Sequence, residues 1–139
     1  MGYALRAMFV MDENVSELEV SRLRKAGIRV RLIGDEVARS GYSDENLLPI
    51  LHQLKRPVVF THNEDFFQFK WVHADYASIW LDVHPNVVDA CVQRSLRHPE
   101  IDTQSKRLGI VAQVGISGIR YWRGMNRQLR RTKWTGSIP

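Results

Sequence analysis

This chain predicts an α/β fold with a mainly parallel central sheet, and three observations lead there. Short apolar runs recur along the sequence, each ending in a polar loop. Stretches with helical apolar spacing and helix-start signals lie between them. The resulting order of strand, helix, strand, helix, strand builds a parallel sheet with helices on both faces. At 139 residues, 44% of them apolar, the chain suits one packed domain and is too short for two.

Residues 6–11, Arg-Ala-Met-Phe-Val-Met, read as a buried strand halted by Asp12-Glu13-Asn14. Ser16-Glu17-Leu18-Glu19 has the spacing of a capping box, so a helix follows to about Ala26 with Gly27 as its stop. Residues 28–33 alternate apolar side chains with arginine, as a strand near a sheet edge does. Ser43-Asp44-Glu45 opens a second helix carrying Leu47, Leu48, Ile50, Leu51 and Leu54, and Pro49 kinks it or moves its start. Residues 57–61 are another short buried strand, followed by His62-Asn63-Glu64-Asp65-Phe66-Phe67. Residues 77–83 form a fourth strand, and Pro85-Asn86 opens a helix with Val88, Cys91, Val92 and Leu96 toward the core. Residues 108–114 and 116–122 are two more strands, turning near Gly115. After Gly124 no apolar period remains, so the domain is expected over 1–123 and a basic C-terminal tail over 124–139.

No apolar run approaches the roughly 18 residues of a membrane span, and the N-terminus lacks the pattern of a signal peptide. With Cys91 as the single cysteine, no internal disulfide is available, which points to the cytoplasm. The net charge of +5 conceals a division. Residues 1–102 hold 12 Lys and Arg against 15 Asp and Glu, a balance of −3, whereas residues 103–139 hold 8 Lys and Arg and no acid. An acidic body with a basic C-terminal arm suits a protein that binds a polyanion beside a cation-holding site; a solvated tail is the alternative.

Three acidic groups fall just after a strand or at the start of a helix that follows one: Asp12-Glu13, Asp44-Glu45 and Glu64-Asp65. In a parallel sheet these positions share the carboxyl edge, where open α/β sheets bind ligands. Carboxylates brought together repel unless a cation or proton compensates. Hard oxygen donors of this kind suit Mg²⁺ or Mn²⁺, and such an ion promotes phosphodiester cleavage. Taken singly, each has a structural explanation: Asp44 and Glu45 favour a helix N-terminus, and Asp65 could cap a helix starting at Phe66.

Met11-Asp12-Glu13-Asn14, Gly41-Tyr42-Ser43-Asp44-Glu45 and Thr61-His62-Asn63-Glu64-Asp65-Phe66 together resemble the short PIN-like proteins of the DUF5615 group, relatives of the Mut7-C domain and of VapC-type toxins. Their pattern is D-E-N after the first strand, S-D-E opening a helix and T-x-D-x-D-F after the third strand; order and spacing match over about residues 6–122. The resemblance implies a PIN-like three-layer α/β/α fold, here with a C-terminal β-hairpin. It also implies a Mg²⁺- or Mn²⁺-dependent ribonuclease, the toxin of a toxin-antitoxin pair. Asp12, Asp44 and Asp65 are then the catalytic positions, and with Asn63 they form the metal set. Glu13, Asn14, Glu45, Thr61 and Glu64 support them. Asn63 departs from the pattern, standing where the first aspartate of the third motif belongs. It offers a neutral oxygen and no charge. RNA is the expected partner, with an antitoxin protein and a second copy of the chain as further candidates.

The five histidines show no metal-ligand spacing, which argues against zinc, and His62 reads as an exposed loop residue. Cys91 reads as a small buried hydrophobe. No phosphate-binding glycine loop is present. Arg120, Arg123, Arg127, Arg130, Arg131 and Lys133 are the candidate nucleic-acid contacts, joined by Trp134, whose polar surroundings leave it to stack on bases. Trp122 reads as a strand residue packed on the core. Two alternatives remain: a PIN-like module that has lost catalysis and only binds, supported by Asn63, and a phosphate-accepting receiver domain, which the residues after the third strand disfavour.

Overall fold

The computed structural model describes residues 8–11, 16–32 and 56–134. Seven strands form one sheet: β1 (Met8–Met11), β2 (Val30–Leu32), β3 (Pro57–Thr61), β4 (Ala77–Leu81), β5 (Ile110–Val114), β6 (Gly118–Arg123) and β7 (Arg130–Lys133). Three α-helices accompany them: α1 (Glu17–Lys25), α2 (Val88–Arg97) and the single-turn α3 (Gln104–Arg107). The strand order is β2-β1-β3-β4-β5-β6-β7. The first five strands run parallel, and β6 and β7 pair antiparallel. The mainly parallel α/β sheet expected from the sequence is therefore present. The second helix expected from Ser43 lies outside the described residues.

Strand alternation divides the core. One face presents Met11, Val30, Val58, Phe60, Ile79, Leu81, Ala112, Ile119 and Tyr121, and these pack with Val20 and Leu23 of α1 and Val88, Cys91 and Val92 of α2. The other face presents Val10, Val59 and Val111, covered by Phe66, Trp71 and Tyr76 from the connection between β3 and β4. Among the described residues both longer helices thus share one face. The opposite face is closed by residues 62–76, which make two 3₁₀ turns, Glu64–Phe66 and Phe69–Trp71.

Local chemistry explains the boundaries. Ser16 caps α1 by accepting from the Glu19 N–H at 3.3 Å, and the chain leaves the helix through Gly27 at φ +87°. Only half of the expected capping box forms, because the Glu19 carboxylate is taken by His62. Pro85 starts a 3₁₀ turn that runs into α2, whose buried positions Val88, Cys91, Val92 and Ser95 follow the helical period.

The segment after Gly124 differs from the expected tail. Residues 130–133 add a seventh strand, with Arg120 opposite Arg131 and Gly118 opposite Lys133. Three features hold it. Gly118 adopts φ +151°, and a Cβ there would collide with the Thr132 carbonyl oxygen, so only glycine allows β7 to come this close. Trp134 turns back over α2: its indole N–H donates to the Gly115 carbonyl at 3.0 Å, and the Arg94 guanidinium lies 4.5 Å from its ring centre. The buried His98 reinforces this by donating from Nε2 to the Lys133 carbonyl at 2.9 Å. Trp134 is therefore a packing residue and not a free stacking platform. Its partners come from the end of α2 and the β5–β6 turn, which a local sequence pattern does not reveal.

Candidate functional site

Chain order and spatial order part company between β1 and β3. The chain runs from β1 to β2 on one side and then places β3 on the other side of β1. Such reversal points open a crevice at the carboxyl ends of the two strands. Met11 pairs in register with Phe60, so β1 and β3 end side by side, one leading in sequence to residue 12 and the other to His62.

Beyond β3 the third acidic motif is built residue by residue. Thr61 is fully buried, and its Oγ1 accepts the Asn63 N–H at 2.9 Å. Asn63 caps the following turn, its Oδ1 accepting the Asp65 N–H at 3.0 Å. The cap expected of Asp65 is thus made by Asn63. The Asp65 carbonyl accepts from the Trp71 indole at 3.0 Å and from Gln68 Nε2 at 3.0 Å. The backbone is held from both sides, while the side chains of Glu64 and Asp65 are exposed, and neither carboxylate has a partner among the described residues.

His62 is half-buried and tied down. Its Nδ1 lies 3.0 Å from the Leu81 carbonyl, and its Nε2 lies 3.1 Å from the Glu19 carboxylate, which is 3% exposed. A carbonyl only accepts, so Nδ1 carries a proton. Nε2 then faces the Glu19 carboxylate. This pair ties α1 to the end of β3. His62→Ala leaves a buried carboxylate without its partner and is expected to cost about 2 kcal/mol. Urea unfolding of His62→Ala, Glu19→Ala and the double variant measures the coupling. Costs that simply add would show that the two side chains do not act as a pair.

Of the sequence-derived site residues, Thr61, Asn63, Glu64 and Asp65 are brought together. Asp12, Glu13, Asn14, Asp44 and Glu45 lie outside the described residues. Among the described residues no three His, Cys, Asp or Glu side chains gather closely enough to hold a metal ion. Burial pushes the Cys91 thiol up to about 11, so it is a packing group and not a nucleophile at neutral pH.

The basic residues divide by strand alternation. Arg120, Arg131 and Lys133 lie on the face without α1 and α2. Arg123 is engaged on the other face, donating to the carbonyls of Lys106 and Glu100. Arg130 pairs with Tyr121 and shares that helix-bearing face. Arg127 stacks its guanidinium 4.7 Å from the Phe69 ring centre. Two features were not singled out from sequence. One is the buried Glu19–His62 pair. The other is a relay in which Gln113 Nε2 donates to Asp82 at 2.6 Å and Gln113 Oε1 accepts from Arg120 Nε. A lone acid inside the apolar run 77–83 was the one available signal for Asp82.

Among the described residues no helix is long and apolar enough to cross a membrane. No family model matches the chain, and neither a curated protein nor a solved structure matches it.

Proposed function

We propose that this protein is a PIN-like, metal-dependent ribonuclease of the toxin type, cutting single-stranded RNA at the carboxyl edge of β1 and β3. The observation that carries this reading is the reversal of strand order between those two strands, because the chain leaves one of them into Asp12 and the other into Asn63-Glu64-Asp65. In the same reading, the helix expected from Ser43 supplies Asp44 and the third layer, β5 and β6 are the C-terminal hairpin, and an acidic antitoxin is the protein partner.

The exposed Glu64 and Asp65 carboxylates are hard oxygen donors without partners among the described residues, so they fit Mg²⁺ or Mn²⁺. Asp65 with Asp12, Asp44 and Asn63 would hold it, supported by Glu64, and when bound it supplies Lewis acidity toward a phosphodiester and its attacking water. The remaining residues position. Thr61 and Trp71 fix the backbone that carries Asp65, and Glu19 with His62 anchors the end of β3. The purified chain should cleave a labelled single-stranded RNA with Mg²⁺ or Mn²⁺ and not in excess EDTA. Undiminished cleavage in EDTA would sink the proposal.

Asn63 favours a second reading, a PIN-like module that binds without cutting, because its Oδ1 is already used as a cap. Asn63→Asp separates the two. A carboxylate caps as well as an amide, so the turn should persist while the site gains a charge. Mn²⁺ affinity by calorimetry should rise about tenfold, as expected when ligand charge increases. Equal affinities would place position 63 outside the metal shell.

A further inference from the structure

Strand register aligns one row of residues across the face without α1 and α2. Thr61, Trp80, Gln113, Arg120 and Arg131 are successive partners from β3 to β7. With strands about 4.8 Å apart, Arg120 lies roughly 14 Å and Arg131 roughly 19 Å from Thr61, the residue leading into Glu64 and Asp65. Near β3 the row is covered, since Phe67 packs on Trp80 and Trp122 with ring centres 5.8 and 4.8 Å away. Near β7 it opens into a cleft of about 710 Å³ lined by Asp82, Gln113, Arg120, Arg131 and Lys133, with the β5–β6 turn as one wall.

The charge of this cleft is one-sided. Its single carboxylate, Asp82, is engaged by Gln113, and Gln113 in turn holds Arg120 by Nε. That relay fixes the guanidinium by one edge, with the Phe67 ring centre 5.1 Å away. Both Nη groups are left without a partner among the described residues. Neither Arg131 nor Lys133 pairs with a carboxylate among the described residues. A planar guanidinium held on one side with N–H groups to spare matches the oxygens of a phosphate. On the same face, half-buried Trp122 and Phe69 meet edge to face at 6.2 Å beside Arg127, offering ring surface to bases. An acidic peptide would use the cations but has no need of the rings.

We infer that this cleft holds phosphates of a single-stranded RNA whose chain leads from the cleft toward the carboxylates after β3. The choice of RNA rests on the ribonuclease reading; the location rests on register and charge. It assigns binding to Arg120, Arg131 and Lys133 and withdraws it from Arg123, Arg130 and Trp134, which lie on the other face, Arg123 and Trp134 being engaged there.

The test is fluorescence anisotropy of a labelled oligouridine in EDTA, where binding is read without cleavage. Arg120→Gln/Arg131→Gln/Lys133→Gln is compared with Lys25→Gln/Arg97→Gln/Arg130→Gln, which removes the same charge from the helix-bearing side. The cleft variant should bind at least about tenfold more weakly at low salt. Its log–log salt slope should be shallower by about 2, at roughly 0.7 per single-strand phosphate contact. The control variant should change far less. Because Arg120 belongs to a relay, Arg131→Gln/Lys133→Gln is measured as well, with thermal melts of each variant, and should show a slope change of about 1.4. The inference is overturned by equal losses in both triple variants, by an unchanged slope, or by failure of the parent protein to bind. It is equally overturned if poly-L-glutamate displaces the RNA as well as unlabelled oligouridine does, which would make the cleft a protein site. A chain without nuclease activity would still give the binding result. Conversely, metal-dependent cleavage with undiminished binding in the cleft variant refutes the cleft alone.

Discussion

Asp12→Asn is expected to lower metal-dependent RNA cleavage at least about 100-fold while leaving the fold intact. Groups that merely orient a metal ligand are worth about 10–100-fold, so a ligand itself should reach the upper end. The exchange removes a charge and keeps the shape, which separates chemistry from packing. Residue 12 follows Met11, whose register partner Phe60 precedes Thr61 by one position. Asp65→Asn should show the same sign, because its carboxylate makes no hydrogen bond among the described residues that the variant would break. Asp75→Asn, an exposed acid in the same connection, is the control and should leave the rate unchanged. Single-turnover cleavage at saturating Mn²⁺ reads all three. Full activity in Asp12→Asn would mean that the acidic edge is not the catalyst.

Removing residues 124–139 is expected to destabilise the chain by about 3 kcal/mol, the scale of deleting a large packed aromatic. Read from sequence, that segment is a tail whose loss leaves the fold untouched. In the structure it supplies β7 and Trp134, and its removal uncovers α2 beside His98 and Arg94. Gly118→Ala tests the same element without deleting anything. The new methyl group would meet the Thr132 carbonyl, and β7 must shift or detach. Urea unfolding followed by tryptophan fluorescence should show lower midpoints for both, with a smaller loss for Gly118→Ala. A truncated chain with the parent midpoint would show that β7 is not part of the cooperative unit.

What the sequence determined by itself is local. The run Pro57–Thr61 is a strand with every residue buried, and it is legible because a central parallel strand must be apolar on both faces. Ser16, Gly27 and Pro85 mark helix boundaries through capping, positive φ and a fixed φ, and each does so without a distant partner. The acidic motif after β3 is legible for the same reason, since its turn is closed by Asn63 on its own backbone.

Tertiary structure alone decided the rest. His62 finds Glu19 across 43 positions, and Trp134 finds Gly115 across 19. Neither contact leaves a periodic trace. β7 is a sheet-edge strand of four polar residues, and it escapes pattern reading because an edge exposed to water has no need of an apolar alternation. Which arginines face the cleft follows from register, and register is set by pairing between strands that are distant in the chain. Burial and pairing are properties of surfaces meeting in space; a sequence displays only those parts of them that neighbouring residues complete among themselves.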